Sequence, residues 1–269
     1  MKELVVKIDN KKYKLCSDDN YIEHVKNNFE PEMIELFKTI ISKDSIIIDI
    51  GANIGCTTIF FAENSKKVYS FEPSKTTFEY LEKNINQAGF KNAHLFNIGL
   101  GSENFKTTLT YSSDNRAGGF VSNLIHIKEG HIIEEIEIHK LDSFLQSIDD
   151  LNKLDFIKID AEGFEPKILK GSEQTLAMYK PVIILELNHW CLNAFQRTSI
   201  PDFFDQLRVL FPFLYAIESN TYLDLHNEDD SYLAMYRHIL QMKYKTIIAA
   251  YDLNQLAKFK KNYKHSRIL

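Results

Sequence analysis

The chain has 269 residues, of which 44% are hydrophobic and 26% charged, a composition that excludes a disordered, collagen-like or low-complexity protein. Its net charge of -5 lacks the basic excess that counterion release from a nucleic-acid backbone exploits, so no nucleic acid is expected as its main partner. Three widely spaced cysteines, Cys16, Cys56 and Cys191, form no CxxC pair and read as reduced thiols, which points to a cytoplasmic location.

Residues 1–44 read as an N-terminal extension: two short strands, LVVKI and KKYKL, then a helix whose apolar positions are Met33, Ile34, Phe37, Ile40 and Ile41. Lys7 and Asp9 interrupt the opening apolar run, so no secretory signal is expected, and no apolar run approaches the ~20 residues of a membrane span. From Ser45 the chain alternates strands and helices in a βαβ rhythm: SIIIDI, the helix IGCTTIFFAEN, KVYSFE, a helix striped by Phe78, Leu81, Ile85 and Ala88, then AHLFNI. FKTTLTY and HIIEEIEIH read as strands around a polar loop at 112–123. DFIKID, PVIILELN, FLYAIE and KTIIAAY complete a sheet of about seven core strands, with one helical run, KILKGSEQTL, after the first of these. The expectation is one mostly parallel α/β domain over 45–269, helices on both faces, with an insertion around 189–244.

Asp49-Ile50-Gly51-Ala52-Asn53-Ile54-Gly55 lies between a strand and a helix, where an open α/β sheet places a nucleotide cofactor. Gly51 and Gly55 permit a tight turn and a close approach of backbone to ligand. Asn53 stands where the dinucleotide fingerprint GxGxxG needs its second glycine, which argues against a pyrophosphate and a nicotinamide oxidoreductase. Glu72 ends the next strand, where a carboxylate can grip the hydroxyls of a ribose. A ribose without a pyrophosphate points to S-adenosylmethionine.

DIGANIG, FEPS, FNIGLG, KLDSFL and FIKIDAEGFEPKILKG together resemble the FkbM family of S-adenosylmethionine-dependent methyltransferases, over about Phe29 to Asn188. The resemblance implies a seven-stranded, Rossmann-like class I methyltransferase fold and methyl transfer to a hydroxyl oxygen of a sugar or natural product. It places Asp49, Gly51, Asn53 and Gly55 on the first cofactor motif, Glu72 and Pro73 on the ribose segment, and Asn97 and Gly99 beside the adenine. Gly101 departs from the acid or serine usual at its position.

Asp160 and Glu162, and then Glu186, Asn188 and His189, follow successive strands at the carboxyl edge of the sheet, facing the same crevice as the glycine loop. An acceptor hydroxyl becomes a good nucleophile when its proton leaves, and His189 or Asp160 is the candidate base. Asp160, Glu186 and Asn188 could instead hold a magnesium ion, a divalent metal that is possible but not favoured. Glu186 and Asn188 are expected to share one strand face. Glu162, Asn188 and Arg116, the last in the 112–124 loop, are candidate substrate contacts; Glu162 reads equally, and Glu165 more readily, as a first-turn acid of the following helix. The expected partner is a small-molecule or nucleotide-sugar acceptor. A cofactor-binding protein without turnover is the alternative.

Overall fold

The computed structural model describes residues 2–125, 127, 129–148 and 151–266. The N-terminal extension forms an antiparallel pair, β1 (Lys2–Ile8) and β2 (Lys11–Ser17), followed by α1 (Tyr21–Val25) and α2 (Pro31–Lys38). The alternating segment is β3 (Ile46–Ile50), α3 (Cys56–Asn64), β4 (Lys67–Phe71), α4 (Lys75–Ala88), β5 (Ala93–Phe96) and β6 (Gly99–Leu100). Next come β7 (Phe105–Ser112), β8 (Asn115–Phe120), β9 (His131–His139), α5 (Leu141–Leu145), β10 (Phe156–Ile159), α6 (Glu165–Lys170), α7 (Glu173–Tyr179) and β11 (Val182–Glu186). The chain closes with α8 (His189–Gln196), α9 (Ile200–Leu210), β12 (Phe213–Glu218), β13 (Thr221–Asp224), α10 (Glu228–Gln241), β14 (Thr246–Ala250), α11 (Ala257–Asn262) and β15 (Lys264–His265).

The main sheet has nine strands in the order β15-β13-β12-β14-β11-β10-β3-β4-β5, not seven; the seven expected strands lie side by side, and β13 and β15 extend one edge. Strands β11, β10, β3, β4 and β5 run parallel, while β14 lies antiparallel to both of its neighbours. The sheet is therefore mixed. Its inner strands are buried on both faces, which is why SIIIDI and PVIILELN read as continuous apolar runs rather than alternations. Period two assigns the faces: Ile46, Ile48 and Ile50 enter one apolar core, Ile47 and Phe156 the other. Asp49 and Lys158, out of phase with the first set, therefore point together toward the α3 face.

Two local expectations change. The 112–124 loop is in part a strand: β8 turns back from β7 and joins a four-stranded sheet, β6-β9-β7-β8, even though Gly118 and Gly119 weaken its strand propensity. KILKGSEQTL is two helices, because Gly171 stops α6 where a Cβ would meet the Gly101 carbonyl oxygen at 1.9 Å. Gly101 itself is pressed against Ile138 and Phe164, so packing explains the glycine at this departure from the family pattern.

Candidate cofactor and acceptor site

A cavity of about 280 Å³ opens at the carboxyl ends of β3, β4 and β10. Its floor is the glycine loop. Gly51 has φ +74°, its N–H donates to the Phe71 carbonyl, and a Cβ there would lie 1.9 Å from the Asp160 carbonyl oxygen, so only glycine fits. Asn53 adopts φ +50°, which aims its N–H at Glu72 Oε2, 3.0 Å away.

Glu72 accepts that bond on one oxygen and the Ser74 N–H, at 3.0 Å, on the other. Burial pushes its pKa up to about 7, against the two backbone donors that favour its charge. The loop carrying Glu72 is tied down from three sides. Ser74 caps α4; Glu134 of β9 accepts from the Ser74 hydroxyl and the Lys75 N–H, both at 2.7 Å; and Asn97 donates to the carbonyls of Glu72 and Pro73 at 2.9 and 3.0 Å. Asn97 thus holds the loop from behind. Glu72, Pro73 and Gly99 line the cavity.

Asp49 lies beneath the cavity and is fully buried. Its Oδ2 accepts from the hydroxyls of Thr57 and Thr58 at 2.8 and 2.7 Å, while Oδ1 has no hydrogen-bond partner. What balances its charge is Lys158, absent from the sequence reading. Lys158 pairs directly with Asp49 across β10 and β3, and its ammonium stands 3.7 Å from Asp49, 3.3 Å from Asp160 and 2.9 Å from the Gly51 carbonyl. Burial works against that charge, but Asp160, Asp49 and Glu30 outweigh it and hold the pKa above the ordinary lysine value. The signal was present in sequence: a lysine inside the buried strand FIKI demands a carboxylate neighbour.

Asp160, Glu162 and Glu186 line the same cavity. The Asp160 carboxylate is 45% exposed and opens into it. Glu162 sits at φ +49° and accepts from the Cys191 thiol at 3.1 Å and the Asn188 amide at 3.3 Å; burial and Asp160 push its pKa up to about 7. Glu186 is driven well above the ordinary carboxyl range by burial and then by Asp160, Glu162 and Glu165, and its Oε2 has no partner. Glu165 starts α6 and accepts the N–H groups of Ala161 and Gly163, a clamp on the 160–164 turn.

Asn188 and His189 are not in the cavity wall. Strand β11 stops at Glu186, so Glu186 and Asn188 do not share a strand face; Asn188 instead caps α8 by accepting from the Cys191 N–H. His189 begins α8 with its ring edge-on to His238, 5.0 Å away. Arg116 lines the cavity, but from strand β8 rather than a mobile loop: it is buried and ion-paired with Asp18. Tyr21 and Glu30 of the N-terminal extension also line the cavity, which no local pattern announced. Among the described residues no group of three or more His, Cys, Asp and Glu is placed to hold a metal ion, and no helix is long and apolar enough to cross a membrane.

The residues present fit S-adenosylmethionine: a buried carboxylate for the ribose, a tight positive-φ glycine turn on the cavity wall, and an apolar wall of Leu100 and Phe164. A family model described as "Methyltransferase FkbM domain" matches residues 49–223. "Methyltransferase 1" of Beauveria bassiana is 25% identical over 145 residues, 48% of this chain and 58% of the relative. "Hexuronic acid methyltransferase AglP" of Haloferax volcanii is 26% identical over 155 residues, 58% of this chain and 61% of the relative. The chain thus spans less than two thirds of the length of these relatives. Among solved structures, methyltransferase FkbM from Methylobacillus flagellatus KT aligns with a TM-score of 0.39 at 20% identity, covering 54% of this chain and 33% of that one.

Proposed function

The chain belongs to the FkbM methyltransferase family, and from that premise we propose that it transfers a methyl group from S-adenosylmethionine to a hydroxyl oxygen of a sugar or a similar hydroxylated small molecule, on a class I methyltransferase fold. The observation that carries this reading is Glu72: a buried carboxylate on the cavity wall, fixed by the Asn53 and Ser74 N–H groups, with the Asp160, Glu162 and Glu186 cluster lining the same cavity.

When bound, S-adenosylmethionine supplies a methyl group on a sulfonium, ready for in-line displacement. Glu72 accepts hydrogen bonds from the ribose hydroxyls. Gly51 and Gly99 line the cavity where a side chain would collide with Asp160 and with Ile138, and Lys158 fixes the Gly51 carbonyl so that the loop is formed before binding. Asp160, half-exposed to the cavity, takes the proton of the acceptor hydroxyl as its oxygen forms the new bond. Glu186 and Glu162, both raised toward the neutral form, hold neighbouring hydroxyls of the acceptor. Carboxylates arranged around hydroxyl-sized space suit a sugar, and the name of the Haloferax relative supports that class.

Incubation with methyl-labelled S-adenosylmethionine and a panel of sugars and nucleotide sugars tests the reading. Label in an ether linkage is the expected product; label on nitrogen alone, or no transfer to any hydroxylated acceptor, refutes it.

A further inference from the structure

Helix α10 has two opposite faces. Ala234 and His238, one turn apart, are fully buried, with Asp230 and Ser231 on the same side. Half a turn round the helix, Tyr232, Tyr236, Ile239 and Leu240 form a second apolar stripe at the i, i+4, i+7, i+8 spacing of a packed face. This one points to solvent: Tyr232 is 62% exposed, Tyr236 47%, Ile239 47% and Leu240 61%. Single exposed apolar side chains are ordinary, but four in one stripe mark a surface that a partner covers. The two tyrosine rings already stack on each other, centroids 6.1 Å apart, so little side-chain freedom is left to lose on contact.

We propose that this stripe is the contact of a homodimer, in which α10 packs antiparallel against α10 of a second copy across a two-fold axis at Tyr236. The charges at the two ends of the stripe select that partner. Glu228 and Asp229 are exposed in the first turn of the helix, and Lys243 is exposed just past its C-cap residue Met242. Neither the Asp229 nor the Lys243 side chain has an ion-pair or hydrogen-bond partner among the described residues.

Asp229 and Lys243 stand seven residues to either side of Tyr236, close to two helical turns, and Tyr232 and Leu240 stand four residues to either side. Reversing the helix about Tyr236 therefore sets Asp229 against the partner's Lys243, Tyr232 against the partner's Leu240, and Tyr236 against its own copy. The two-fold axis repeats each contact, so both ends gain an ion pair and the centre an aromatic pair. A parallel pairing would set acid against acid and base against base. The acidic end also disfavours an anionic lipid surface as the occupant. Helix α10 has 14 residues and is about 21 Å long, so its face alone buries less than the ~1,200 Å² at which stable specific interfaces begin. The dimer is accordingly concentration-dependent rather than obligate.

Sedimentation velocity on the full chain from about 1 to about 200 µM is the test, with thermal melting and S-adenosylhomocysteine titration of every variant as controls on folding. Wild type is expected to shift from the monomer mass of 31.3 kDa toward its double as concentration rises. Tyr236→Glu sets two carboxylates face to face on the axis and should raise the dimer dissociation constant by about tenfold or more. Asp229→Lys alone, or Lys243→Asp alone, should weaken the dimer by about tenfold, since each dimer contains the contact twice. The protein carrying both changes should regain most of the wild-type affinity, because opposite charges again face each other. Affinity for S-adenosylhomocysteine should stay within about twofold throughout, since none of these residues lines the cofactor cavity. A monomer at every concentration, a dimer indifferent to Tyr236→Glu, or a double variant no tighter than the single ones overturns the proposal. So does a monomer that floats with phosphatidylcholine vesicles through the same tyrosines, which would give the stripe to a membrane instead.

Discussion

Replacing Lys158 with methionine probes how the glycine loop and the Asp49 carboxylate beneath it are held. Methionine keeps much of the aliphatic length, so the change removes charge and hydrogen bonding rather than opening a large void. What is lost is specific: the ion pairs to Asp49 at 3.7 Å and Asp160 at 3.3 Å, and the bonds to the carbonyls of Gly51 at 2.9 Å and Ile50 at 3.3 Å. Asp160 is half-exposed and can turn to water, but Asp49 is fully buried and its Oδ1 has no other partner. Stranding one member of a buried pair costs about 3 to 5 kcal/mol. At roughly 2 to 4 °C per kcal/mol for a chain of this class, Lys158→Met should melt about 10 °C below wild type. Adding Asp49→Asn should recover a good part of that loss. The asparagine oxygen can still accept from Thr57 and Thr58, and no buried charge remains. Thermal melting of the four proteins in this cycle is the assay. A Lys158→Met protein melting within about 2 °C of wild type, or a double variant no more stable than the single one, would refute the argument that Lys158 exists to neutralise Asp49.

Glu72→Ala should weaken S-adenosylhomocysteine by about 1.5 to 3 kcal/mol, the value of a hydrogen bond to a charged group, in a protein that still folds; calorimetry showing unchanged affinity would remove Glu72 from the ribose site. Gly51→Ala forces a Cβ onto the Asp160 carbonyl at positive φ, so both melting temperature and cofactor affinity should drop, and wild-type values for either would contradict the close approach. The buried carboxyls also set a pH dependence. Glu72, Glu162 and Glu165 rise from an ordinary 4.5 to about 7 in the folded chain, so the folded state binds more protons than the unfolded one between those values. Stability from these groups is complete below about 4.5 and lost as pH climbs through about 7; melting of the cofactor-free chain should therefore fall from pH 5 to 8, and a profile rising over that range would contradict the burial of these acids.

The positions of the glycine loop and Glu72 were legible because they are set locally: a strand end, a turn that only glycine fits, and an acid closing the next strand. Lys158 was legible in principle, since a charge within a buried strand needs a partner, but naming Asp49 as that partner required the register of β10 on β3. Asn188 and His189 misled for a local reason. The apolar run through Leu187 read as continuing strand, whereas Asn188 is a helix cap that starts α8 and turns His189 away from the cavity. Arg116 misled because the glycines beside it suggested a loop, while its pairing with Asp18 crosses from β8 to the turn after β2. Tyr21 and Glu30 were beyond local reading, because the N-terminal extension reaches the site only by tertiary docking.

The central claim is that the cavity over Gly51 and beside Glu72 takes S-adenosylmethionine and not a dinucleotide. Calorimetric titration of the wild-type chain with S-adenosylhomocysteine and, in parallel, with NADH measures it directly. Saturable binding of S-adenosylhomocysteine at one site per chain, with no heat from NADH, is the predicted result; NADH binding in the absence of any S-adenosylhomocysteine binding would contradict it.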